Sequence, residues 1–328
     1  MRALTAALLL LTVVLPPIPA YAQSVPWPAF GPLRNLLKLD GFTDALPDFV
    51  GPIDGSAELT IFTEGNHYPV LLPLVLQRFP QWCRETGACA ADAARILVVT
   101  LPQPMIVRML TEGGISLGNA VLRVGPDKPV FPDLVMGGLA PLSQLHAARL
   151  VEDRARVFAH TRGMAMLVSK DLPGVDDLAH FSGQVGRLIV ASPSEPGARR
   201  QYRQTSAAVL GEGATARLFD HEVTTFAGRL GIQHRDVPYA LLNGLADGGL
   251  IFGHLAHFYA AVFPDRLRAV DVPGAERFGQ DIAMVRTTHA RSALAAAFER
   301  FFMEAARTAY PDGGFADPGA GFGRPVGL

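Results

Sequence analysis

The chain has 328 residues, 49% of them hydrophobic, and its 29 Lys and Arg against 30 Asp and Glu leave a formal net charge of −1. That balance offers no basic footprint for nucleic acid, and no stretch beyond the first residues approaches the ~20 apolar positions that a membrane span needs. The length allows two lobes, and 33 glycines with a high apolar share suit an α/β protein with buried strands and tight turns.

The chain opens with a leader. Met1-Arg2, an apolar run from Leu4 to Leu15 and a Pro-rich turn into Ala20-Tyr21-Ala22 supply the basic, apolar and small-residue parts of a secretory signal peptide over residues 1–22. Cleavage after Ala22 would leave Gln23 at the mature N-terminus, with no cysteine nearby for lipid attachment. The expected location is the periplasm. Residues 23–56 follow as a Pro/Gly-rich extension enclosing a short helix-like stretch, Leu33–Leu39.

The only cysteines, Cys83 and Cys89, flank a Gly-containing turn. In an oxidising compartment that spacing favours a local disulfide. A metal or redox role for the pair would want a neighbouring His, a third Cys or a two-residue spacing, and none is present.

From there the pattern alternates. Apolar β-like runs occupy Glu58–Thr63, Arg95–Leu101, Asp133–Met136, Arg156–Ser169, Arg187–Ser192, Gly249–Phe252 and Asp281–Arg286. Helical periodicity occupies Tyr68–Trp82, Pro104–Thr111, Pro141–Leu150, Pro196–Leu210, Ala240–Ala246, Leu255–Val262 and Ala290–Tyr310. Strand followed by helix, repeated, predicts mostly parallel sheets flanked by helices, and the length favours two sheets.

Four segments carry a resemblance. Phe62-Thr63-Glu64-Gly65-Asn66, Gln103-Pro104-Met105-Ile106-Val107-Arg108, Pro132-Asp133-Leu134-Val135-Met136 and Gly244 through Phe252 resemble, in order, four segments of the molybdate-binding branch of type II periplasmic binding proteins. The resemblance spans about Glu58 to Tyr310. It implies an α/β fold of two lobes, each a mostly parallel sheet flanked by helices, with the ligand cleft between them. The first lobe would take residues 57–152 plus 278–310 and the second 153–277. The chain would cross near Asp153–Ala159 and Val272–Gln280, leaving 311–328 as a flexible tail. The resemblance also implies a monomeric receptor working with an ABC permease at the inner membrane.

In such sheets ligands bind beyond the carboxyl ends of the strands. Thr63, Glu64, Asn66, His67, Gln103, Met136, Ser192, Ser194 and His254 are therefore the expected ligand contacts, with Glu195 beside the serines. The family holds an oxyanion with small hydroxyls and a Tyr; here those places read Asn66, Gln103 and Phe252. An ionised Glu64 close to a dianion would oppose it, which argues against molybdate itself.

Two charged chemistries remain beside an uncharged organic ligand. An oxyanion or small organic anion, the favoured class, would use the helix start at Ser194-Glu195-Pro196, with Arg199 and Arg200 following. Alternatively Glu64, His67, Met136, His254 and His257 could ligate a transition metal, because Glu64-x-x-His67 and His254-x-x-His257 each pair ligands at helical spacing. No other cofactor is called for. A sensory receptor for a membrane kinase would use the same fold. No Gly-x-Ser-x-Gly, His-Glu-x-x-His, Walker A or dinucleotide fingerprint occurs, so no catalytic residue is assigned.

Overall fold

The computed structural model describes residues 49–117, 120–191, 195–225 and 232–328. Residues 1–48, on which the expected leader and most of the expected extension fall, and Ser192 and Ser194 lie outside the described residues.

In chain order the first part comprises β1 (Phe49–Val50), β2 (Leu59–Glu64), α1 (Tyr68–Pro73), α2 (Phe79–Thr86), β3 (Ile96–Leu101), α3 (Gln103–Glu112), the hairpin strands β4 (Gly114–Leu117) and β5 (Ala120–Arg123), β6 (Leu134–Gly138), α4 (Leu139–Ala147) and β7 (Arg154–His160). The middle comprises β8 (Met164–Ser169), α5 (Leu178–Gln184), β9 (Leu188–Val190), α6 (Pro196–Leu210), α7 (Glu212–Asp220), α8 (Asp236–Leu242), β10 (Gly248–Phe252), α9 (Gly253–Val262) and β11 (Leu267–Asp271). The chain then returns through β12 (Asp281–Arg286), α10 (Leu294–Asp312) and β13 (Pro325–Gly327).

Among the described residues these strands build a seven-stranded sheet in the order β1-β3-β2-β6-β12-β7-β13 and a four-stranded sheet in the order β11-β8-β10-β9. The first and last parts of the chain form one lobe and the middle forms the other. β2 and β3, read as LTIFTE and ILVVTL, are apolar on both faces because helices cover both sides of their sheet.

Pairing is parallel for β3-β2-β6 and for β9-β10, and antiparallel for the remaining neighbours. The expected predominance of parallel pairing is thereby corrected. Parallel neighbours need a crossover, which α1–α2 and α3 supply. β7 and β12 instead carry the chain between lobes and run back against β6 and each other.

The expected strand Arg156–Ser169 is two strands. The chain leaves the first sheet after His160 and enters the second at Met164, so the crossing falls at 161–163 rather than near Asp153–Ala159. Gly163 makes it possible: at φ 79° it lies in the left-handed region, and a Cβ would stand 2.0 Å from the Ala275 carbonyl oxygen. On the returning segment a Cβ at Gly279 would stand 2.2 Å from the Thr161 carbonyl oxygen, so the two crossings touch.

The C-terminal segment is a structural part of the first lobe, which corrects the expected flexible tail. Phe315 is fully buried, and β13 pairs with β7. The end of the extension also joins the fold, as β1 pairs with β3. Tyr68–Trp82, read as one helix, is broken by a π-helical turn at Leu74–Arg78 directly after Pro73, which cannot donate a helical hydrogen bond.

One face of the large sheet packs against α3 and α4 through Phe62, Val99, Ile106, Leu142 and Val285. The other packs against α1, α2 and α10, and that cluster runs without interruption into the second lobe through Met166, Leu167, Leu250 and Ile251. Burying each such large side chain stabilises the fold by ~1.5–3 kcal/mol. Cys83 and Cys89 are joined in a disulfide that ties the end of α2 to the following loop.

Candidate functional site

The strand ends of both sheets face one cleft of about 600 Å³. Glu64 and Asn66 reach it from the end of β2, and Gln103 from the start of α3. Glu195, Gln201 and Arg200 reach it from the start of α6, Phe252 from the end of β10, and Phe278 and Gln280 from the returning crossing. Glu64, Asn66 and Gln103, three of the expected contacts, thus line this cleft. Gln103 also braces the wall: its Oε1 accepts from the Gly138 N–H at 3.0 Å, and its Nε2 donates to the Gly138 carbonyl at 3.3 Å.

Glu64 and Glu195 come from opposite lobes and share the Asn66 amide. Asn66 Nδ2 donates to Glu64 Oε2 at 2.8 Å, and the same side chain hydrogen-bonds Glu195. Burial, with the charge of Glu195 adding to it, pushes the Glu64 carboxyl up to about 8. Burial also works against ionisation of Glu195, but His234 and the Asn66 amide outweigh it and hold that carboxyl below its usual range.

The support of Glu195 is a buried chain. His234 Nδ1 lies 2.7 Å from Glu195 Oε2, the His234 N–H donates to Glu195 Oε1 at 3.3 Å, and His234 Nε2 meets the Tyr202 hydroxyl at 2.6 Å. Sequence reasoning missed His234, Tyr202 and Gln201. The one available signal was the polar Gln201 on the same buried stripe of α6 as Ala198, Tyr202 and Thr205.

The expected metal ligands do not come together. His67 is fully buried, with Nε2 2.5 Å from Thr63 Oγ1 and Nδ1 2.5 Å from the Tyr310 hydroxyl. Thr63 is fully buried too, so its hydroxyl serves His67 rather than the cleft. Met136 is fully buried in β6, between Thr63 of β2 and Met284 of β12. His254 directs Nε2 to the Asn66 carbonyl at 2.9 Å and stacks on Phe315 with ring centroids 3.9 Å apart. His257 is exposed and pairs with Asp271 at 2.8 Å on the outer surface of α9. Among the described residues no group of three or more His, Cys, Asp or Glu is arranged to hold a metal ion. Glu64, His67, Met136, His254 and His257 are therefore corrected as a ligand set: helical spacing places residues on one face but does not say that the face is toward the cleft.

Burial pulls the rings of His67 and His254 down to about 3, with each also depressed by a neighbouring imidazole. Both stay neutral under ordinary conditions. They build the floor under Asn66, and so act on the cleft only through it.

The lobes also meet behind the cleft. Arg235 is buried and donates to the Thr100 carbonyl at 2.9 Å and to its hydroxyl at 3.3 Å, while the Tyr68 and Tyr259 hydroxyls stand 3.1 Å apart. No helix among the described residues is long and apolar enough to cross a membrane.

Residues 129–316 match the sequence profile of a family described as bacterial extracellular solute-binding protein. No curated protein matches the chain. Among solved structures, the substrate binding domain assigned to a molybdenum ABC transporter from Clostridium difficile is similar, at 14% identity and a TM-score of 0.51, over 79% of this chain and 98% of that one. The sulfate-binding protein SubI from Mycobacterium tuberculosis is similar at 16% identity and a TM-score of 0.54, over 80% and 88% of the two chains. A periplasmic thiamin binding protein is similar at 16% identity and 0.51, over 82% and 83%. At such identities the likeness concerns the fold.

Proposed function

The chain belongs to the bacterial extracellular solute-binding protein family, and on that premise we propose that it is the periplasmic receptor of an ABC-type importer, holding a small polar solute between its lobes. The cleft carries this reading: about 600 Å³, walled by strand-end residues from both sheets, with Asn66, Gln103, Glu195 and Gln280 presenting polar groups to its interior. That volume falls within the ~300–1,000 Å³ of small-molecule sites. A solute touching both lobes favours the arrangement in which they face each other, by its differential affinity for that state. The Cys83–Cys89 disulfide fits an oxidising compartment, in keeping with the leader read at residues 1–22. Handing solute to a permease follows from membership in such a receptor family together with export.

Ala140 tests the reading, because it lines the cleft and is exposed, so a bulky replacement fills the cleft without disturbing the core. Native mass spectrometry of protein purified from the periplasm should find a low-mass solute on the wild type and none on Ala140→Trp. Equal occupancy in both proteins, or none in either, would refute the cleft as the receptor site.

A further inference from the structure

We propose that the cleft selects a small organic cation, an ammonium or amidinium compound, held between Glu195 and Glu64 and contacted by Gln201. The inference rests on the receptor reading above and names the solute class for that same cleft.

Charge comes first. Among the described residues lining the cleft, the charged side chains are Glu64, Glu195 and Arg200. Arg200 is exposed at the rim, whereas Glu195 is buried. Two carboxyl groups inside and one guanidinium outside favour a cation within, and a dianion there would meet repulsion strengthened by burial.

A second observation is independent of the carboxyls. Gln201 is 4% exposed and lines the cleft. Its Nε2 donates to the Phe278 carbonyl, which fixes the orientation of the amide, and its Oε1 is buried with no hydrogen-bond partner. An unpaired buried acceptor is costly, and a solute N–H would relieve it. The missing partner is thus a donor, which a sulfate-like or molybdate-like anion cannot be.

Aromatic surface supplies a third. Phe252 and Phe278 line the same cleft, and Phe252 stands where the resembling family has a Tyr hydroxyl to offer an anion. A phenyl ring offers none, and because Phe252 stacks on His234 and His254, Phe278 is the ring whose face can meet a cation. The cleft therefore joins negative charge, an open acceptor and the Phe278 ring, which is the chemistry of organic ammonium recognition. With the Glu64 carboxyl held up to about 8, the empty cleft keeps one carboxyl uncharged at neutral pH, and a bound cation would draw it into its ionised form.

The test incubates the purified wild type with a small-metabolite extract of bacterial cells, removes free solute by gel filtration and identifies what stays bound by mass spectrometry. Ala140→Trp, Glu195→Gln and Glu64→Gln are run in parallel, with circular dichroism to confirm folding. The expected result is a retained base, absent from Ala140→Trp and bound at least 10-fold more weakly by Glu195→Gln. Glu64→Gln, which leaves the His234 pairing of Glu195 untouched, should weaken the same compound. A retained anion or uncharged solute that Ala140→Trp also loses would overturn the cation assignment and leave the receptor reading standing. The same holds for a retained base that both Gln variants bind as tightly as the wild type. Retention of nothing by the wild type, or equal retention by Ala140→Trp, would overturn both.

Discussion

The Tyr310 hydroxyl stands 2.5 Å from Nδ1 of His67, joining the end of the last helix to the end of β2 across 243 residues of chain. On the far side of the ring, Thr63 donates its hydroxyl to the Glu64 carbonyl at 3.2 Å, which leaves its oxygen to accept from His67 Nε2. The ring then carries one proton, on Nε2, and accepts from Tyr310. This ring locks the backbone that presents Glu64 and Asn66 to the cleft.

His67→Ala should therefore destabilise the protein by about 3 kcal/mol, by opening a buried void and leaving the Tyr310 hydroxyl without its acceptor. Tyr310→Phe should cost about 1 kcal/mol, the worth of one hydrogen bond. Urea denaturation measures both. Unchanged midpoints would refute the role.

The same ring sets an acid sensitivity. His67 and His254 are held down at about 3, below the ordinary 6.5, so the unfolded chain takes up protons at these sites before the folded one does. Their contribution is complete above about pH 6.5 and declines by ~1.4 kcal/mol per pH unit for each ring as pH falls toward 3. Denaturation curves at pH 7 and pH 5 should show the loss, and His67→Ala should reduce its slope. An unchanged slope would mean that His67 protonates in the folded state.

Glu64 works in the opposite sense. Its carboxyl is raised from 4.5 to about 8 by burial and by Glu195, with His234 behind Glu195 and the Tyr202 and Tyr310 hydroxyls also near. A raised acid stabilises the fold fully below its unfolded value and loses that contribution as pH rises through its folded value. Glu64→Gln should accordingly melt several degrees above the wild type at pH 8.5, in the absence of solute. The difference should shrink on acidification and vanish below about pH 4.5. A Gln variant less stable at pH 8.5 would show that the carboxylate is satisfied in the fold.

Asp133 is a structural anchor within the segment that resembles a ligand-binding family. Its carboxylate accepts from the Thr60 N–H at 2.9 Å and from the Arg291 and Ser292 N–H groups at 2.8 Å each, stitching β2, β6 and the approach to α10 together. Asp133→Ala should cost about 3 kcal/mol, since one buried and two part-buried backbone donors lose their shared acceptor. Solute retention per folded molecule should not change.

The disulfide closes a short loop. Replacing both Cys83 and Cys89 by Ser should lower stability by about 2 kcal/mol, as loop-closure entropy predicts for so small a ring. Thiol titration of the unreduced, denatured wild type should find no free cysteine.

The alternation of strand and helix through β2, β3, α3, β6 and α4, the Cys83–Cys89 pairing and the strand-end positions of Glu64, Asn66 and Gln103 were legible in the sequence, because each depends on neighbours within a few positions. A run of apolar residues makes a strand, a proline after it opens a helix, and the junction lies at the sheet edge. The facing of His67 and Met136 was not legible. A strand buried on both sides has no polar alternation to separate cleft from core, and Met136 sits in a strand whose first four residues are all buried. Nor could the sequence show Glu195 meeting His234 across 39 residues, Gln201 left with an open acceptor, or Phe315 closing over His254. Those pairings join elements from distant parts of the chain. Only the packing of two sheets and the last helix brings them within hydrogen-bonding range, and local periodicity carries no record of distance between elements.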